Sequence, residues 1–147
     1  MSARSYLCID PAERSLRAIL LSVDGAASTV ERAVVEDVPA EVDANDVEAQ
    51  ARWIGETLRR HGFPGNGACD EAIVTLDREQ ATVRRIELPT DDPDELPDMA
   101  RLAMQRETPV ESGHMVVDLV PRETVGTNTT VLLAAAPHAA VLRAKRI

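Results

Sequence analysis

The apolar residues between Tyr6 and Leu76 change their spacing twice, and that change limits the fold more than any other feature of the chain. Tyr6 to Asp10 is a short apolar run that ends at Pro11, which cannot donate a ladder hydrogen bond. Leu16 to Val23 sets Ile19, Leu21 and Val23 on one face with the period of a strand. Asp24-Gly25 is a turn signal, and Thr29 to Val38 supplies a third strand before Pro39. The spacing then lengthens. Asn45 or Asp46 caps a helix, with Glu48 three after Asn45 as in a capping box, and Val47, Ala51, Ile54 and Leu58 share its buried face. His61-Gly62 closes that helix. Beyond a Gly/Pro/Asn loop, Glu71 to Leu76 returns to a strand, expected to be buried on both faces. The order β-β-β-α-β predicts an α/β fold in which an antiparallel meander is joined by a crossover helix to a parallel strand.

The second half has a different character. Thr82 to Leu88 is a strand; Asp92-Pro93-Asp94-Glu95 opens a helix whose inner face holds Leu96, Met99, Ala100, Ala103 and Met104. Pro97 is tolerable only near the first turn of that helix. His114 to Val120 and Thr130 to Ala135 are strands about a turn at Gly126-Thr127-Asn128, and Ala139 to Arg146 is a last helix. Val141 and Leu142 begin an apolar face with little helix left to carry it, so we expect these residues to be the front portion of a longer protein.

Composition removes several function classes. A net charge of −9 argues against nucleic acid, whose phosphates call for arrays of Lys and Arg. Tyr6, Trp53 and Phe63 are the only aromatic residues, too few for a base-stacking platform. Cys8 and Cys69 form no disulfide framework, and no apolar run approaches the length that spans a bilayer. His61, His114 and His138 share no ligand spacing and read as solvated residues. The acidic run at Asp91, Asp92, Asp94, Glu95 and Asp98 lacks the Gly and final Glu of a calcium loop, and suits the positive end of a helix dipole.

One segment has the order of a phosphate loop. Asp10 ends the first strand, Pro11-Ala12 follows, and Ser15 and Arg17 open the second. In actin-like and RNase H-like folds an acid at this place orients water about a metal, and a glycine turn lets backbone N–H groups cradle phosphate. Here Ala12 brings a Cβ and Pro11 lacks the N–H, so Asp10, Ala12, Ser15 and Arg17 form a degenerate version of that loop, beside the plainer reading of an Asp at a strand-end turn. Asp10 with Asp77, which follows the fourth strand, also leaves open a metal-dependent nuclease of RNase H-like fold.

The order of motifs after residue 82 narrows the choice. Val83-Arg84-Arg85-Ile86-Glu87-Leu88-Pro89, Asp94-Glu95-Leu96, Gln105-Arg106-Glu107-Thr108-Pro109-Val110, Val116-Val117-Asp118 and Leu133-Ala134-Ala135-Ala136 occur in sequence. Together they resemble PilM, the actin-like cytoplasmic component of type IV pilus assembly, and its relatives GspL of type II secretion and FtsA of cell division. The resemblance covers the whole chain but about the first half of that family's usual length.

The resemblance implies an actin-like first subdomain over residues 1–80 and a small inserted α/β subdomain over residues 81–147. It implies a cytoplasmic scaffold peripheral to the inner membrane, not inserted in it. Such a scaffold binds the cytoplasmic tail of an inner-membrane assembly protein near the junction of the subdomains. ATP and magnesium would belong to a longer form, because the second phosphate loop and adenine pocket fall beyond residue 147; this chain is not expected to be an enzyme. Arg84 and Asp118 stand where the family carries an Arg and an Asp, and are expected to pair across the sheet, with a partner-peptide contact as the alternative. A homodimer through the uncovered last helix is also expected. Two readings stay beside this one: the nuclease on Asp10 and Asp77, and a degenerate nucleotide-binding domain.

Overall fold

A computed structural model of the chain describes residues 3–12, 14–43, 45–65, 68–107 and 114–147. The chain divides into two units, Met1–Leu76 with Arg143–Ile147, and Asp77–Leu142. The sequence had suggested a boundary after residue 80; the observed one falls four residues earlier, and the last five residues return to the first unit.

In the first unit, β1 (Arg4–Pro11), β2 (Ser15–Asp24) and β3 (Ala27–Asp37) form the expected meander. The helix α1 (Val47–Arg60) leads to β4 (Glu71–Val74), which pairs parallel with β1, giving the order β3-β2-β1-β4. Gly25 is the first of two residues between the paired Asp24 and Ala27, and its φ of 60° is the conformation that a II′ hairpin requires there. The buried face of β2 is Leu16, Ala18 and Leu20, which join Ile9, Val34, Ile54, Leu58 and Phe63 in one core. Ile19, Leu21 and Val23 lie on the other face and are only half-buried.

The ends of α1 follow from local chemistry. Asp46 rather than Asn45 is the N-cap: its carboxylate accepts from the N–H groups of Glu48 and Ala49 at 3.1 and 3.0 Å. Asn45 instead bonds Asp43, so no capping box forms. At the far end Phe63 N–H donates to Leu58 O and Gly62 N–H to Arg59 O, the bonding of a Schellman motif, with Gly62 at φ 71°. That turn buries Phe63 against the core that contains Leu58. The buried positions of α1 are Gln50, Ile54, Thr57 and Leu58, a stripe rotated from the one expected. Gln50 is buried because its amide oxygen accepts from Arg143 at 2.7 Å. β4 is shorter than expected and borders its sheet, so Ile73 is 46% exposed instead of covered on both sides.

The second unit holds β5 (Thr82–Leu88), α2 (Leu96–Glu107), β6 (Met115–Val125), β7 (Asn128–Pro137) and the start of α3 (His138–Arg146). Its sheet is antiparallel with β7 between the other two. The β6–β7 hairpin is longer than expected and turns on Gly126, at φ 62° between the paired Val125 and Asn128. Leu96, Ala100 and Met104 of α2 pack on Leu88, Val131, Leu133 and Ala135, as the spacing had indicated. Pro97 is the second residue of α2, where its missing N–H costs no helical bond. The acidic run before it folds into a turn: Thr90 Oγ1 donates to Glu95 at 2.7 Å and accepts from Asp92 N–H, and Asp92 accepts from Asp94 N–H. The motif residues 108–110 lie outside the described residues.

Candidate functional site

Strand parity assembles the first candidate site. Tyr6, Cys8 and Asp10 of β1 stand in register with Leu21, Ile19 and Arg17 of β2, on the sheet face opposite the core. Parallel pairing of β4 with β1 carries the chain on so that Thr75 N–H donates to Ile9 O at 2.9 Å. Thr75 then donates its hydroxyl to Asp10 Oδ1 at 2.7 Å, while Arg17 Nη1 donates to Asp10 Oδ2 at 3.3 Å. Beside this cluster Cys8, Ile19 and Thr75 line a shallow apolar depression of about 180 Å³.

Both oxygens of Asp10 are therefore engaged by groups of the same sheet. The arrangement fixes the carboxylate in place, which is what a strand-end anchor needs. Ser15 begins β2 and Ala12 lies between the strands, in a connection without glycine. Thr75 was not anticipated; its signal was the parity of Ile73 and Thr75 on a strand running beside β1. Asp77 accepts Glu79 N–H at 3.3 Å in the turn after β4. Among the described residues no group of three or more His, Cys, Asp or Glu is arranged to hold a metal ion.

Two further carboxylates hold their elements together. Glu36 of β3 accepts from Arg60 and from His61 Nε2, the latter at 2.8 Å, at the end of α1. The hydrogen bond from His61 holds its carboxyl below the usual range; burial, the next largest effect, opposes it, and the bond and charge of Arg60 reinforce it. His61, expected to be merely solvated, is thus a partner of β3. Asp70 accepts the Ser5 N–H at 2.7 Å and the Ser5 hydroxyl at 3.0 Å, and these bonds lower its carboxyl too. Burial, and secondarily the charges of Asp70 and Glu31, push the Cys69 thiol up, and the residue packs against the first core.

The expected pairing of Arg84 with Asp118 is not made across the sheet. Arg84 stands opposite Leu133, on the side that faces α2, whereas Asp118 stands opposite Ala134, one position along and so on the other face. Asp118 shares that second face with Val83, Arg85, Leu132 and Val120, and Arg85 is directed at Glu123 at 4.0 Å.

No protein-family model matches the sequence, and no curated protein is similar enough to it to count as a match. Solved structures do match. The fold is similar to that in the PilM-PilN type IV pilus biogenesis complex, with a TM-score of 0.77 and 18% identity over 96% of this chain and 43% of that one. It is also similar to the cytoplasmic domain of EpsL, an inner membrane component of the type II secretion system of Vibrio cholerae. There the TM-score is 0.53 and the identity 12%, over 98% of this chain and 50% of that one. The chain thus spans at most half the length of these two structures, and what they share with it is the fold. The resemblance to PilM and GspL-type proteins read from the motif order is matched by these structural neighbours.

Proposed function

We propose that this chain is a scaffold module of a bacterial envelope assembly machine, of the type IV pilus or type II secretion kind. It docks on the cytoplasmic tail of an inner-membrane partner. The observation that carries the reading is the likeness of fold over 96% of the chain to a component of a pilus biogenesis complex, together with the motif order noted above. In the same reading the two units are the first and the inserted subdomain of an actin-like protein, and the chain works in the cytoplasm, peripheral to the inner membrane. Among the described residues no helix is long and apolar enough to cross a membrane.

The chain by itself does not hydrolyse ATP in this reading. Pro11 and Ala12 occupy the turn where backbone would approach phosphate, and Asp10 is committed to Arg17 and Thr75. A homodimer through α3 belongs to the reading too, supported by Leu142 being 44% exposed on that helix; a monomeric mass at working concentration would remove it.

The test is genetic and biochemical together. Deleting the gene should abolish pili or type II secretion in the source organism, and cross-linking in intact cells should join the native protein to an inner-membrane component of that machine. Normal pili and secretion in the deletion strain, with cross-links only to soluble proteins, would sink the proposal.

A further inference from the structure

The sheet of the second unit carries α2 on one face, and its other face sets exposed apolar residues among charged ones. Ile86, Leu88, Val131 and Leu133 lie under the helix. On the other face Val83 and Val120 are 60% and 52% exposed, and Leu132 and Val116 are 38% and 37% exposed. An antiparallel sheet that meets water on one side ordinarily places polar residues there. These four residues come from all three strands, and the register sets them around Ala134 as one patch. Three strands span about 10 Å, roughly the width of one α-helix, and α2 already covers the same three strands on the opposite face.

Two charged residues stand within the patch, Asp118 and, in the row of Leu132 and Val120, Arg85. Asp118 sits in the same row as Ala134 and Val83. Among the described residues its one hydrogen bond is from the N–H of its neighbour Leu119, at 2.8 Å. Arg85, the cation of β5 on this face, is directed at Glu123. A neutral or acidic occupant would strip water from Asp118 and offer no counter-charge, a loss that apolar contact alone does not recover. The net charge of −9 draws basic segments toward the molecule and repels acidic ones.

We propose that this face receives an amphipathic helix of a protein partner whose apolar stripe carries a Lys or Arg that meets Asp118. The proposal rests on the scaffold reading above and names the surface and chemistry of one of its contacts. It is tested by titrating the native protein with synthetic peptides that cover the cytoplasmic segments of the source organism's inner-membrane pilus and secretion proteins. Fluorescence anisotropy reads affinity and circular dichroism reads helix formation.

The expected binders are basic and gain helix on binding. Asp118→Lys should weaken them about tenfold or more, and replacing the peptide's Lys or Arg by Glu should restore binding to that variant. Leu132→Ser should also weaken binding, while Val30→Ser, an exposed apolar position of the first unit, should not. If a tail peptide binds the wild type and binds both face variants equally well, the surface is wrong and the scaffold reading stands. If no peptide binds the wild type, the scaffold reading fails and this proposal with it. An acidic or extended peptide seated on the face overturns the helix proposal alone, as does a dimer that Asp118→Lys dissolves.

Discussion

Single residues show how charge is used in this chain. Glu36 and Asp70 each tie one element to another, and their carboxyls titrate below their ordinary values of 4.5 and 3.8. A lowered carboxyl contributes stability above its unfolded value and loses it as pH falls through its folded value. Glu36→Gln should therefore lower the urea midpoint at about pH 7 and flatten its decline between about pH 5 and pH 3, with Asp70→Asn acting in the same direction. Asp10→Ala removes two hydrogen bonds at a half-exposed site and should cost about 1 kcal/mol in chemical denaturation. Asp10 and Arg17 could be singled out in the sequence because both lie beside a strand-end turn, and the structure joins them as an ion pair. Thr75 could not be, because its role depends on which strand runs parallel to β1. Arg84 and Asp118 show the same limit: each was visible, but only the register decides which face a strand residue takes.

At the scale of elements, local signals were the most readable. The two Gly-led hairpins, the Gly62 helix end and the inner face of α2 appear where the sequence placed them, since each depends on a few neighbouring residues. Burial was harder to read. The burial of Gln50 in the α1 stripe goes with a hydrogen bond from Arg143, distant in sequence. Exposure of β4 depends on its place at the sheet border, which apolar content alone does not reveal. Asp46→Ala should destabilise by about 1 kcal/mol through loss of the N-cap, read as a lower thermal midpoint; Asn45→Ala should have a clearly smaller effect, because Asn45 bonds only Asp43. Gly62→Ala should cost about 1 kcal/mol or more for its left-handed backbone, with the new Cβ also 3.2 Å from the Arg32 guanidinium.

For the molecule as a whole, the two cores share no residue. Leu133→Ala should cost about 3 kcal/mol and speed amide exchange in β5, β6 and β7 before that in β1 to β4; Ile54→Ala should do the reverse. Uniform acceleration from either variant would show instead that the units open together. The return of the last residues to the first unit was not legible in the sequence, because it rests on Arg143 and Ile147 packing far from their sequence neighbours. The pairing registers carry a further consequence. The border strand β3 is broken at Glu31, where its register with β2 shifts, and β6 is broken at Arg122, next to Pro121. β4 has only four residues. Among the described residues, β5 alone combines seven residues, an unbroken register and no proline, and its outer side leaves alternate N–H and C=O groups facing water. Thr82–Leu88 is therefore the border that offers another strand the longest regular edge, and the charges of Arg84, Arg85 and Glu87 along it are what oppose edge-to-edge pairing in concentrated protein.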